Sequence, residues 1–365
     1  RPLPPSTPLP PATPLRSMTH SFTALKPILN KLADGSSLTA GEAEAAFEVI
    51  MSGGATDAQL GGFLMALRVR GETVDEITGA VKIMREKALK VHAPHDAIDI
   101  VGTGGDASGT YNISTGAALV TAACGVPVAK HGNRALSSKS GTADVLSALG
   151  VNLECDMDLV KRSIWEANIG FLLAPRHHAA MKYVMPARVE MGVRTIFNLL
   201  GPLSNPADVK RQLTGTYDRA WTVPMAKTLG NLGCEMAWVV HGSDGLDEIT
   251  TTGPTYVAQI KGGQLSEFEI SPEDAGLPIA SPADLKGGTP EHNAEAMRAL
   301  LQGTKSAFRD CVVLNAGAAV LVAGKAADLK DGAAQAAAAI DAGKAMDTLE
   351  DLINITNDDG SAVMT

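Results

Sequence analysis

The sequence predicts an α/β protein in two parts: a small all-α domain and a large α/β domain with a mostly parallel central sheet. Helical periodicity without strand signals runs from about residue 21 to residue 90. Short apolar runs then alternate with helical segments, beginning "AIDIVGTGG", "ISTGAALVTAACG" and "VPVAKHGNR". The 365 residues are 45% hydrophobic and 19% charged, a composition typical of a globular protein with a sizeable core.

The first part is predicted to contain four helices. "FTALKPILNKLADG" repeats apolar residues at three- and four-residue steps and ends at Gly35. The next helix begins at a Thr-x-x-Glu capping box, Thr39 to Glu42. Thr56 and Thr73 are predicted to cap the two helices that follow.

The second part is predicted to alternate strands and helices. Further strands are predicted at "IGFLLAP", "MAWVVHG", "TYVAQI" and "DCVVLNAGAAVLVAG", and the last long helix former is "GAAQAAAAIDAGKAMDTLEDLINI". Residues from about 181 to 200 are helical in pattern and are expected to return to the small domain. The predicted division is therefore 18–90 plus about 181–200 for the helical domain, and 91–180 plus 201–365 for the α/β domain, with a hinged cleft between them.

The first seventeen residues hold seven of the twenty prolines and are expected to be a mobile, polyproline-like tail. We interpret this tail as an added or upstream extension and exclude it from the fold; a proline-rich partner motif is the alternative.

Composition also limits the function. A formal net charge of −9 argues against a broad nucleic-acid surface, and no apolar run of 18 residues predicts a membrane span. A cytoplasmic location is expected, with reduced thiols, because the cysteines are far apart and form neither a disulfide framework nor a zinc motif: Cys124, Cys155, Cys234 and Cys311.

A glycine-rich turn, "VGTGGDASGTYNISTG", follows the first predicted strand and opens a helix. Such a turn exposes backbone N–H groups at a helix start and can bind an anion, although it also serves as a plain strand-to-helix connection. The polar residues suit a sugar phosphate, and Ser114 is placed to reach a metal: Asp106, Thr110, Asn112, Ser114 and Thr115.

A second loop, "KHGNRALSSKSGTAD", follows the next strand. Lys130 offers a phosphate a point charge, and Arg134 offers it a planar guanidinium with paired N–H donors. Further donors come from Ser137, Ser138, Ser140 and Thr142. Parallel strands bind ligands at their carboxyl ends, so both loops are expected at the same edge of the sheet. A solvated loop is the alternative.

Asp247 and Glu248 follow the strand "MAWVVHG". Adjacent acids are often merely exposed, but beside two phosphate loops they become oxygen ligands for Mg²⁺ shared with a diphosphate. His241 and Asp244 are expected to be structural.

Arg188 and Arg194 lie on the returning segment, where an arginine facing the cleft would bind a carboxylate through two hydrogen bonds. Treated as one helix, the segment presents them on different faces, so only one is expected to face the cleft. His177 and His178 are candidates for the cleft wall.

Together, "GTGGD", "NIST", "KHGNR", "SGTADVL", "RTIFNLLGPLSNP" and "DEI", in this order, resemble the anthranilate phosphoribosyltransferase family from Met18 to the end of the chain. The resemblance implies the fold shared with pyrimidine nucleoside phosphorylases, usually as a homodimer. It also implies Mg²⁺-dependent transfer of phosphoribose from phosphoribosyl diphosphate to the amine of anthranilate, with release of diphosphate, in tryptophan biosynthesis.

The resemblance also implies residue roles, carried over by motif. The phosphoribosyl diphosphate site would comprise Gly102, Gly105, Asp106, Thr110, Asn112, Ile113, Ser114, Thr115, Lys130, His131, Gly132, Asn133, Arg134, Ala135, Leu136, Ser137, Ser138 and Thr142. The anthranilate site would comprise Gly102, His131, Asn133, His178 and Arg188. Magnesium would be held by Ser114, Asp247 and Glu248. The residues expected to contribute to catalysis are Lys130, Asn133 and Arg188.

Departures from the family pattern are Ala107 and Tyr111, where glycine and phenylalanine are expected, and Thr142 in place of a commoner serine. None of them removes a needed donor. The alternative functions are a nucleoside phosphorylase on the same fold and a non-catalytic paralogue that binds nucleic acid.

Overall fold

A computed structural model describes residues 23–106, 108–134 and 140–358. The predicted proline-rich tail lies outside the described residues, as do Ala107 and five residues of the second loop: Ala135, Leu136, Ser137, Ser138 and Lys139. In the described part of the chain, no helix is long and apolar enough to cross a membrane.

The described residues begin with an all-helical unit, as the sequence predicts: α1 (Lys26–Ala33), α2 (Ala40–Met51), α3 (Asp57–Arg70) and α4 (Val74–Lys87). Thr39, Thr56 and Thr73 cap the last three helices, each in a complete capping box. In each box the threonine side chain accepts from the N3 backbone N–H and the N3 side chain accepts from the threonine N–H, so two otherwise unpaired donors are satisfied.

One seven-stranded sheet is formed by the described residues: β1 (Ile98–Gly102), β2 (Val128–Gly132), β3 (Ile169–Leu173), β4 (Arg211–Gly215), β5 (Met236–Gly242), β6 (Thr255–Lys261) and β7 (Gln264–Ile270). The strand order is β3-β2-β1-β4-β5-β6-β7. The first five are mutually parallel, and β6 and β7 complete the sheet as an antiparallel meander. The predicted fold class is therefore confirmed.

The helices of the second part follow in chain order: α5 (Ile113–Ala123), α6 (Thr142–Leu149), α7 (Met157–Glu166), α8 (Ala174–His177), α9 (Met185–Met191), α10 (Phe197–Leu203), α11 (Thr222–Asn231), α12 (Pro290–Leu301), α13 (Ala307–Val322), α14 (Leu329–Asp341) and α15 (Lys344–Thr356). The predicted helical return near 181–200 is present, interrupted at Gly192, which caps α9 in the left-handed conformation.

The predicted strand "DCVVLNAGAAVLVAG" is wrong, because these residues belong to the buried helix α13. A helix packed on several sides is apolar all round and loses the periodicity that distinguishes it from a buried strand. The helix packs against α5 and α14, and Gly317 lies directly on the α14 backbone: a Cβ there would be 2.5 Å from the Ala333 nitrogen.

Two strands were not predicted. In β4, "RQLTG", Gln212 and Thr214 are polar yet fully buried, so no apolar run marks the strand. In β7, the residues are mostly exposed and polar, since it is the edge of the sheet.

The returning segment shares an apolar cluster with the N-terminal helices: Val184, Ala187 and Ile196 pack with Phe47 and Phe63. The same cluster reaches α11, β5 and β6, so the helical unit rests on one face of the sheet. The residue boundaries of the two domains stay a prediction.

The chain places β2 on one side of β1 and β4 on the other. This reversal of strand order is the topological switch point at which parallel sheets leave a crevice beyond the carboxyl ends of their strands. The glycine-rich turn and the "KHGNR" loop both begin at this edge.

Candidate active site

The glycine-rich turn leaves β1 at Gly102. Gly104 and Gly105 have φ values of +67° and +75°, which side chains with a Cβ rarely adopt. The Gly104 N–H donates to Asp247 Oδ2 at 2.6 Å, and the Thr103 N–H donates to the Gly215 carbonyl at 3.0 Å. The turn is therefore tied to the ends of β4 and β5.

A strap from residues 285–293 fixes the rest of this loop. Thr110 forms a β-bridge with Lys286, and the Gly287 N–H donates to the Gly109 carbonyl at 3.0 Å. Asn293 Nδ2 donates to Asn112 Oδ1 at 2.9 Å, and Asn112 Nδ2 donates to the Ser140 carbonyl at 3.3 Å. Asn112 therefore joins the first loop to the second.

The loop after β5 reaches the site by crossing over the end of β4. This crossing requires glycine at two strand ends. A Cβ on Gly215 would lie 1.5 Å from the Asp247 carbonyl oxygen, and one on Gly102 would lie 2.5 Å from Asp247 Oδ2. The predicted convergence of Asp247 with the first loop is thus a feature of the structure, and Gly215 makes it sterically possible.

Asp247 is buried and Glu248 is half-buried beside the first loop. Glu248 Oε1 accepts from the Ser114 N–H at 3.2 Å. Burial, with Glu248 and Asp106 nearby, raises the pKa of Asp247 well above its ordinary value. Burial also raises the pKa of Glu248 to about 7, although Lys130 opposes the shift. Both carboxyls therefore lose their proton less readily than an exposed carboxyl does.

This donor set fits magnesium. Among the described residues, no group of three or more His, Cys, Asp or Glu side chains is arranged to hold a metal by itself. Mg²⁺ is commonly held by one or two carboxylates, with substrate phosphates and water completing its octahedron. Asp247 and Glu248, whose pKa values are raised chiefly by burial, provide that partial set, with Ser114 next to Glu248.

Lys130 is buried between the two loops. Its Nζ donates to the Ile100 carbonyl at 2.6 Å and to Ser114 Oγ at 3.3 Å. Burial lowers the pKa of Lys130, and the carboxylates of Asp99, Glu248 and Asp247 oppose that shift. The ammonium thus lies beside the start of α5, where an anion would meet both the cation and the helix N-terminus.

Within "KHGNR", His131 is buried, and Asn133 and Arg134 are exposed. Asn133 Oδ1 accepts from the Arg134 N–H at 2.8 Å. Arg134 lies within 3.7 Å of Asp144 and 3.6 Å of Glu154. Gly132 lies against Phe171, whose ring would be 2.8 Å from an added Cβ. Arg134 therefore anchors the loop, and Asn133 is the exposed polar side chain.

Three histidines lie beneath this loop. The rings of His131 and His178 are 5.2 Å apart, and His177 Nδ1 lies 2.8 Å from the Leu89 carbonyl. Burial lowers the pKa of His178 to about 4 and the pKa of His131 well below its ordinary value. Both are neutral at neutral pH, and their buried Nε2 atoms have no hydrogen-bond partner among the described residues.

The two arginines of the returning segment do not share a helix, because α9 ends before Arg194. Arg188 is half-buried on α9, 5.4 Å from the Phe197 ring centroid, and burial lowers its pKa. Within the described residues it has no carboxylate partner. Arg194 stacks on Tyr217 at 4.0 Å and donates to the Gly105 carbonyl.

Several residues support the site without having been predicted. Asn315 holds the turn after Glu248: its Nδ2 donates to the Ile249 carbonyl at 2.7 Å and its Oδ1 accepts from the Ile249 N–H at 3.0 Å. Asp244 accepts from Thr250 and Thr252 in the same turn, the structural role expected for it. No local motif identifies Asn293 or Asn315, whereas a glycine at the end of a parallel strand is a readable signal for Gly215.

The chain matches the model of the glycosyl transferase family helical bundle domain over residues 26–88 and that of the family's a/b domain over residues 94–346. It is 64% identical over 335 residues to an anthranilate phosphoribosyltransferase of Azospirillum brasilense, covering 92% of this chain and 94% of the relative.

Two solved structures are similar to this fold. The anthranilate phosphoribosyltransferase of Thermus thermophilus has a TM-score of 0.86 and 43% identity, covering 90% of this chain and 98% of that one. The Saccharomyces cerevisiae enzyme in complex with PRPP and Mg has a TM-score of 0.81 and 27% identity, covering 94% and 98%. The family match and the 64% identity, over nearly the whole length of both proteins, show that this chain belongs to the anthranilate phosphoribosyltransferase family.

Proposed function

We propose that this chain transfers the phosphoribosyl group of 5-phosphoribosyl 1-diphosphate to the amine of anthranilate. The products are N-(5-phosphoribosyl)anthranilate and diphosphate, in tryptophan biosynthesis. The observation that carries the proposal is the meeting of three loops at one sheet edge: the glycine-rich turn, buried Lys130, and the Asp247–Glu248 pair held by Gly104 and Ser114.

The diphosphate would lie between the first loop and Lys130. The glycine-rich turn and the start of α5 would present backbone N–H groups to the diphosphate. The residues from Asp106 to Thr115 would hold the ribose and its phosphates, with Asn112 keeping the two loops in register. Lys130 would stabilise the negative charge that grows on the diphosphate as it departs.

Asp247 and Glu248, with the Ser114 hydroxyl, would hold Mg²⁺. When bound, the metal supplies charge neutralisation to the diphosphate oxygens. The carboxylates then serve as anions rather than as acids, since a nearby cation favours their ionised form.

The acceptor site would be formed by Gly102, His131, Asn133, His178 and Arg188. Arg188, desolvated and without a carboxylate partner among the described residues, would bind the anthranilate carboxylate through a fork. Asn133 would orient the ring, and the neutral imidazoles of His131 and His178 would line it without opposing charge. Positioning the amine in line with the breaking C1–O bond supplies much of the rate, since the bond change itself needs no protein nucleophile.

We propose a homodimer formed through the helical unit. The support is a group of exposed apolar side chains on α3 and on the segment around α9, two elements that pack together: Met65, Val69, Tyr183, Val189 and Val193. Sedimentation of the protein and of a Val69→Asp variant tests this. A monomeric wild type, or a variant dimer as stable as wild type, would contradict it.

Loss of anthranilate fluorescence tests the proposed activity. With phosphoribosyl diphosphate and Mg²⁺ present, fluorescence should fall while diphosphate is released in equal amount. A nucleoside phosphorylase would instead cleave a nucleoside with inorganic phosphate and leave anthranilate unchanged, and a nucleic-acid-binding paralogue would do neither. The 64% identity to a transferase supports the first outcome.

A further inference from the structure

The ladder between β1 and β2 opens after its first pair. β1 pairs with β4 along all five residues, from Ile98 to Gly102, and β2 pairs with β3 along all five of its own. Between β1 and β2, both fully described, pairing is limited to Ile98 with Val128. The backbone groups farther along these two strands must find other partners, because buried peptide groups are seldom left unpaired.

Three side chains take the place of the missing ladder. Lys130 Nζ donates to the Ile100 carbonyl at 2.6 Å, and Asn205 Nδ2 donates to the Ala129 carbonyl at 2.8 Å. Asp99 Oδ1 accepts from the His131 N–H at 3.0 Å. These side chains bridge β1 and β2 at the place from which the two substrate loops depart.

Asp99 and Asn205 form a closed unit beneath the loops. Asn205 Nδ2 also donates to Asp99 Oδ2 at 2.7 Å, and Asn205 Oδ1 accepts from the Ala207 N–H at 2.8 Å. Both residues are fully buried. Both oxygens of Asp99 are therefore hydrogen-bonded. The orientation of the Asn205 amide is fixed because its oxygen accepts from Ala207 while its NH₂ group donates to Asp99.

Asp99 also supplies a counter-charge. Its carboxylate interacts with the Lys130 ammonium, which is only 2% exposed. A buried cation that loses its anion is strongly disfavoured, so Lys130 would shift or seek water if Asp99 were neutral. The Lys130 ammonium also donates to Ser114 Oγ at the start of α5, at 3.3 Å.

We propose that Asp99 and Asn205 are positioning residues that set the separation of the two substrate loops, acting through Lys130 and the backbone of His131. Neither is assigned contact with a substrate. The inference rests on the proposed function, because Lys130 is taken to meet diphosphate. Substituting Asp99 or Asn205 should therefore weaken the binding of diphosphate and leave recognition of the acceptor's carboxylate unchanged.

The test is the Asp99→Asn variant, with Asn205→Ala as a second variant should the first fail to fold. The oxygen of the new asparagine can still accept from the His131 N–H. Its NH₂ group, however, faces the NH₂ group of Asn205, and the side chain gives Lys130 no counter-charge. Misplacement near a reacting group costs up to about 100-fold in rate. We expect kcat/KM for phosphoribosyl diphosphate to fall on the order of 10- to 100-fold, and the Kd of inorganic diphosphate with Mg²⁺ to rise about 10-fold by calorimetry. The preference for anthranilate over aniline should be unchanged.

Glu76→Gln is the matched control. Glu76 is a fully buried carboxylate that accepts from the Leu38 N–H at 2.8 Å and the Thr73 N–H at 2.9 Å and pairs with Arg70, all within the helical unit. It should lower the Tm and leave kinetics below that temperature unchanged. If Asp99→Asn behaves like Glu76→Gln, lowering only the Tm, the inference is wrong. If wild type fails to consume anthranilate, the proposed function fails, while diphosphate affinity still decides the inference.

Discussion

Replacing Arg188 with alanine should weaken the use of anthranilate specifically. Arg188 is half-buried, and burial lowers its pKa. Its guanidinium contacts the Phe197 ring and donates to the Met185 sulfur at 3.8 Å. Arg188→Ala therefore removes no ion pair found among the described residues, and folding should change little.

The size of the loss in kcat/KM follows from the two hydrogen bonds that the Arg188 guanidinium would donate to the anthranilate carboxylate. Each hydrogen bond to a charged partner contributes about 1.5–3 kcal/mol, and the lower value applies because Arg188 is partly exposed. Losing both costs about 3 kcal/mol, or about 100-fold in kcat/KM for anthranilate, at about 1.4 kcal/mol per tenfold change. Arg188→Lys keeps the charge without the fork and should lose about 10-fold.

The assay is initial-rate fluorescence with anthranilate and, in parallel, product formation with aniline, which has no carboxylate. Wild type should prefer anthranilate by about 100-fold, and Arg188→Ala should lose that preference, as in a double-mutant cycle. Arg194→Ala is the comparison, because Arg194 contacts Gly105: it should raise the KM for phosphoribosyl diphosphate and retain the preference. An Arg188→Ala enzyme with unchanged preference would refute the carboxylate anchor.

Three further predictions concern the metal pair, the crossing loop and the buried acid. Asp247→Asn combined with Glu248→Gln should abolish Mg²⁺-dependent turnover without lowering the Tm, since two acids of raised pKa are removed; normal turnover in a Mg²⁺ titration would contradict the assignment. Gly215→Ala should displace the Asp247 loop and reduce activity severely, because its Cβ would lie 1.5 Å from a carbonyl oxygen, whereas Gly61→Ala, with no atom within 4 Å, should raise the Tm slightly and keep activity. Burial raises the pKa of Asp99 from 3.8 to about 6, so the stability due to its protonation is complete below about pH 4 and is lost as the pH rises through about 6. In urea unfolding across that pH range, the free energy of unfolding of wild type should fall by on the order of 3 kcal/mol relative to that of Asp99→Asn. Free energies of unfolding that change equally with pH in both proteins would exclude the shift.

Much of the fold was predictable because local signals agree with the final structure. The capping boxes at Thr39, Thr56 and Thr73 mark three helix starts, and apolar runs before glycine mark β1 and β2. Prediction failed where burial removes periodicity. The helix α13 is buried along most of its length, and β4 buries Gln212 and Thr214 through contacts that only the assembled sheet provides.

The candidate site was predictable in its ligand-facing residues and not in their supports. Lys130 stands out as a charge inside the otherwise apolar start of β2, and Asp247 and Glu248 stand out as charges in the loop after β5. Asp99 and Asn205 are 106 residues apart in the chain, and their contact lies where β1 and β2 have separated after their first pair. Treating 181–200 as one helix also gave a wrong geometry for Arg188 and Arg194, since Gly192 ends α9 between them.

The most direct measurement is a crystal structure of the enzyme with phosphoribosyl diphosphate, Mn²⁺ in place of Mg²⁺, and benzoate, which has the acceptor's carboxylate but no amine to react. The account predicts an anomalous peak within about 2.5 Å of a carboxylate oxygen of Asp247 or Glu248. It also predicts diphosphate between the first loop and Lys130, and the benzoate carboxylate on Arg188. A metal bound away from both acids, or a carboxylate bound away from Arg188, would contradict it.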